Sequence, residues 1–191
     1  MDPDRLTLIA DLPGFTPQIS KLVSMMNYAR WTTLRVVRDL NVEQLDHRPQ
    51  GFENSIGALL EHIAAVEVYY QAFTFEGRME LTETETARWG AGLDLGEQAS
   101  GIRGHSLEHY VNQLEDVRAV TLGELGKRDD DWLQLEFPFW NGNPANHYFC
   151  WFHVFEDELT AVSEMIENLK GEILNFFFTA VCFCSLSSGN S

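Results

Sequence analysis

The chain has 191 residues, 45% of them hydrophobic, enough for one domain around one core and too few for two. Its formal net charge of −16 repels phosphate backbones, which excludes a nucleic-acid-binding role. Three cysteines, Cys150, Cys182 and Cys184, form no disulfide framework and point to a reducing, cytoplasmic setting.

Residues 1–13 are acidic and lack the basic start and apolar run of a signal peptide. The first predicted helix covers residues 17–40. Thr16 is its N-cap candidate and Pro17 suits its first turn, and Leu22, Met25, Met26, Ala29, Val36 and Val37 form a stripe of helical period. Residues 41–53, with Pro49 and Gly51, are expected to be a loop. The second helix covers 55–75, with Asn54 or Ser55 as cap and Ile56, Leu59, Leu60, Ile63, Val66 and Tyr70 at helical spacing. Residues 77–105 are rich in Glu, Thr and Gly. They are expected to be a long connection that crosses the bundle or covers a site. The third helix opens at Ser106 and closes at Gly126. An aromatic, turn-rich stretch, 132–144, leads into the fourth helix, which starts at Asn143 or Pro144 and reaches about Lys170. Residues 171–191 are an atypical apolar tail. Its longest apolar run, 173–186, is shorter than the roughly 20 residues of a membrane span. Four amphipathic helices with one long join predict an all-α four-helix bundle with a crossover, formed by residues 1–170.

Two places put ligand-type side chains among apolar neighbours. His62 lies one turn from Ala58, Leu59, Ala65 and Val66, so it faces other helices. An imidazole so placed is either an ordinary hydrogen-bonded core histidine or a ligand. His153 and Asp157 are spaced i, i+4 and can reach one point beside their helix. They read as an intrahelical contact or as two donors for a divalent metal.

These strings carry a family resemblance. Asn27, Tyr28 and Trp31 in the first helix, Leu45–Asp46–His47–Arg48–Pro49 before the second, Asn54–Ser55–Ile56 running to His62, Ile63, Ala64 and Glu67, and His153–Val154–Phe155–Glu156–Asp157–Glu158 in the fourth resemble the DinB/YfiT-like bundles. The resemblance covers residues 21–159. It implies a divalent metal, zinc or nickel, held by three side chains: the histidine at His62 and two residues one turn apart, at Asp157 and Ala161. The family has His or Glu at the first of these two positions and His at the second. Here Asp157 can still ligate, and Ala161 cannot. His153, one turn earlier, is the candidate replacement if the helix is turned relative to the family. After Leu159 the family's basic, glycine- and glutamine-containing stretch is missing, as in a replaced or frame-shifted end.

What the resemblance implies for activity is a metal-dependent transferase or isomerase that uses a low-molecular-weight thiol. A small-molecule substrate would enter under the 77–105 connection, with no nucleic acid or membrane as partner. The competing expectations are a metal-free bundle that binds a small molecule or forms a homodimer, and an inactive product of a disrupted C-terminus.

Overall fold

The structure is a computed structural model that describes residues 6–186, with Trp140 and residues 171–186 described by backbone alone. It is all-α apart from one short hairpin. α1 (Pro17–Val37) starts where expected, with Thr16 extended at the N-cap and a proline in the first turn. α2 (Val42–Asp46) replaces part of the expected 41–53 loop. The Asn41 side chain accepts from Gln44 N–H while the Gln44 side chain accepts from Asn41 N–H, a reciprocal cap that starts a helix in a polar stretch. α3 (Ile56–Glu76) is capped by Ser55, whose oxygen accepts from Ala58 N–H. It ends at Gly77 with φ 68°, the left-handed conformation glycine adopts without strain.

The predicted 77–105 connection contains a helix of its own, α4 (Glu83–Asp94). Thr82 and Glu85 cap it reciprocally, a signal the Glu/Thr/Gly composition had obscured. α5 (Leu107–Leu125) follows its Ser106 cap, and α6 (Asp130–Leu133) is a single turn. β1 (Glu136–Pro138) pairs antiparallel with β2 (Pro144–Asn146), so the last long helix, α7 (His147–Leu186), begins after Asn146 rather than at 143 or 144. The backbone of α7 continues past Lys170 into the apolar tail. No helix among the described residues is long and apolar enough to cross a membrane.

Pairwise contacts give the helix directions. Arg118 on α5 reaches Met26 O, and Arg30 on α1 reaches Leu114 O, so α1 and α5 run antiparallel. The ring of Tyr110 sits at Gly57, while Arg118 and Thr121 bond Glu67, so α3 and α5 run parallel. Tyr70 faces His153, His62 faces Asp157 and Asn54 faces Glu164, so α3 and α7 run antiparallel. Two parallel neighbours joined in sequence need a connection as long as the bundle, which is why α4 exists between α3 and α5.

The interior has two apolar clusters. One holds Ile19, Leu22, Met26, Tyr70, Leu125 and Trp151 toward one end, and the other holds Val37, Leu59, Leu60, Tyr110, Leu114 and Met165 toward the other. Between them lies a charged layer with one residue from each long helix: Arg30, Glu67, Arg118 and Glu158, all buried. Arg30 Nε lies 2.8 Å from Glu158 Oε1, and Arg118 Nε lies 2.7 Å from Glu67 Oε1. Cross-links of 3.3 Å join Arg30 to Glu67 and Arg118 to Glu158. Thr33 and Thr121 donate to the two carboxylates at 2.7 and 2.6 Å. The burial cost of four charges is met by a closed set of partners.

Candidate functional site

The site is built on the seam between α3 and α7, and α4 closes over it. Gly92 on α4 sits so close to α3 that an added Cβ would lie 2.9 Å from Glu61 Cγ and 3.3 Å from Ala65 Cβ. That close approach brings the Gly92 carbonyl to 2.8 Å from His62 Nδ1. A carbonyl only accepts, so Nδ1 carries a proton and donates it. On the other side of the ring, His62 Nε2 lies 3.2 Å from Asp157 Oδ2, with side-chain exposures of 14% and 22%.

The contact is at ion-pair distance, yet Asp157 Oδ2 is buried with no partner in hydrogen-bond geometry. With Nδ1 protonated, neutral His62 turns a lone pair toward a carboxylate oxygen. Two acceptors face each other, and the arrangement calls for a cation between them or a proton on Nε2. Burial alone would lower the His62 pKa. The Asp157 carboxylate beside Nε2, the Gly92 carbonyl on Nδ1 and the charge of Glu164 outweigh it and hold the pKa above the ordinary histidine value. A histidine with one nitrogen fixed by a backbone carbonyl and the other beside a carboxylate is also a prepared metal ligand.

Geometry allows two corners of such a site. Two donors on one tetrahedral zinc-type ion, at about 2.0–2.2 Å each, lie roughly 3.3–3.6 Å apart. The 3.2 Å between Nε2 and Oδ2 is close to that. A third corner is lacking. Ala161, one turn beyond Asp157, is buried at 5% exposure and packs in the apolar cluster with Leu59, Leu60 and Ile63. No group of three or more His, Cys, Asp or Glu side chains able to hold a metal occurs among the described residues.

Of the three residues singled out from sequence, the structure brings His62 and Asp157 to ion-pair distance and sets His153 beside Tyr70. His153 sits one turn earlier on α7, opposite Tyr70. Its ring packs edge-on to Tyr70 at 5.9 Å and stacks on Phe149 at 6.0 Å, and its Nδ1 lies 3.0 Å from Glu156 Oε2. Cys150 is buried and its thiol is pushed up to about 12 by that burial, so it packs as a small apolar group rather than reacting.

Sequence reading missed four residues: Gly92 and Glu164 at the site, and Arg30 and Arg118 in the charged layer beside it. Gly92 acts through its carbonyl and leaves no side-chain signal. Glu164 follows Asp157 by seven residues on the same face of α7, and Asn54 Nδ2 donates to it at 3.3 Å. Arg30 and Arg118, the cations of the buried layer, occupy core-facing helix positions, a pattern visible in the sequence as charge inside an apolar stripe.

No curated protein matches the chain. A family model described as the DinB superfamily matches residues 26–159, which takes in His62 and Asp157 and stops short of Ala161. The chain therefore belongs to the DinB superfamily.

Proposed function

We propose that this protein is a cytoplasmic DinB-type bundle whose centre is the His62–Asp157 pair, a reduced metal site that takes one divalent ion, zinc or nickel, weakly. The observation that carries the reading is the commitment of His62 Nδ1 to the Gly92 carbonyl, which aims the Nε2 lone pair at Asp157 Oδ2. His62 would supply the neutral donor and Asp157 the charged one. A divalent ion held there would act as a Lewis acid that lowers the pKa of a bound thiol or water. Gly92 fixes the imidazole tautomer and ring plane, and α4 packs over the seam. The remaining positions fall to water or to a small molecule, and a low-molecular-weight thiol suits that place in a transferase or isomerase reaction.

A second reading rests on Ala161. Without a third donor, the resting pair is an imidazolium beside a carboxylate, and the bundle binds a small molecule or a second copy of itself with no metal at all.

Zinc titration against a chelating dye separates the two readings. The wild-type chain is expected to bind zinc weakly and His62→Ala to lose that binding. Ala161→His, which restores the missing donor, is expected to tighten it by about 100-fold or more, roughly 2.7 kcal/mol. If wild type and Ala161→His both fail to bind zinc, the metal-free reading stands.

A further inference from the structure

A cavity of about 250 Å³ opens where the α2–α3 turn, the first turn of α3 and the segment after α4 meet. Four charged side chains line it: Asp46, Arg48, Glu53 and Arg103, over a floor that includes Asn54 and Ala58. Two guanidiniums gathered in one cavity are a local exception in a chain of net charge −16.

The four charges are not equally engaged. Both Asp46 oxygens accept from Gly104 N–H, at 3.0 and 2.9 Å. Arg48 Nη1 donates to the Glu53 backbone carbonyl at 3.3 Å, which leaves its other donors available. The Arg103 guanidinium and the Glu53 carboxylate, both on exposed residues, have no hydrogen-bond or ion-pair partner among the described residues. A simple anion would satisfy the arginines but meet the negative charge of Glu53 in the same cavity. A simple cation would do the reverse. A molecule with a carboxylate at one end and an ammonium at the other satisfies both.

We propose that this cavity binds a small zwitterion of amino-acid type, its carboxylate on Arg103 and Arg48 and its ammonium on Glu53. The cavity is also tied to the seam described above. Ala58 lies one turn before His62, and Asn54 accepts from Gly96 N–H at 2.8 Å while donating to Glu164. The assignment stands whether or not the His62–Asp157 pair takes a metal.

Calorimetric titration of the full chain in chelator tests it, with L-serine as the probe and propionate, ethylamine and inorganic phosphate as comparisons. Serine is expected to bind saturably in the millimolar range, with propionate, ethylamine and phosphate each about tenfold weaker or more. Arg103→Gln and Glu53→Gln, both at exposed positions that leave the core untouched, are each expected to weaken serine by about tenfold. His62→Ala is expected to leave serine binding unchanged, which separates this site from the metal reading. Propionate or phosphate binding as well as serine, no saturable serine binding, or variants that bind like wild type would overturn the proposal.

Discussion

Two polar sites share helices α3 and α7 and treat buried charge in opposite ways. In the layer of Arg30, Glu67, Arg118 and Glu158, every charge has at least two partners and the set closes on itself. At His62 and Asp157, adjacent to that layer along α7, one carboxylate oxygen is buried without a hydrogen-bond donor. A closed network fixes which helices pack and in what register. An open one keeps a place for something the chain does not supply.

The contrast breaks first at the closed layer. Glu158→Ala leaves Arg30 and Arg118 buried with half their compensation, and is expected to cost about 3–5 kcal/mol in urea unfolding. A loss below about 1 kcal/mol would mean that water reaches the layer. The layer also has an acid signature. Burial would raise the Glu67 pKa, but the charges of Arg118 and Arg30 lower it below the ordinary carboxylate value. Its folded pKa is depressed, so its contribution is present above the unfolded value and is lost as pH falls through the folded one.

A smaller effect is expected at the roof of the open site. Gly92→Ala forces α4 off α3 against Glu61 and Ala65, at about 1–3 kcal/mol. It should also release His62 Nδ1, so the loss of stability comes with a lower His62 pKa by NMR titration. A destabilised variant with an unchanged His62 would separate the roof from the site.

The smallest effect has the opposite pH sign to that of Glu67. The folded His62 pKa is raised, so its contribution is full below the unfolded value near 6.5 and is lost as pH rises through the folded value. Asp157→Asn should flatten that part of the stability profile and leave the acid limb set by Glu67 intact.

What the sequence made legible follows from where information sits in side chains. α3 was readable end to end because Ser55, the apolar period and Gly77 agree. His62 and Asp157 were readable through motif resemblance, and their antiparallel pairing put them face to face. α4 was not, because its Glu/Thr/Gly composition masked the Thr82–Glu85 cap. Gly92 could not be found, since its role is a backbone carbonyl placed by a close helix approach. Ala161 was the most informative single letter, because it removes a donor and the structure offers no third ligand in its place among the described residues.

At His62, Nδ1 is committed to the Gly92 carbonyl, and the Nε2 edge facing Asp157 is what a shared cation would occupy. Nitrogen-resolved NMR of the His62 ring across pH tests it most directly. Neutral His62 is expected to be the Nδ1–H tautomer, and its charged form to persist above the ordinary histidine pKa. A neutral Nε2–H tautomer donating to Asp157, with Nδ1 bare, would contradict it.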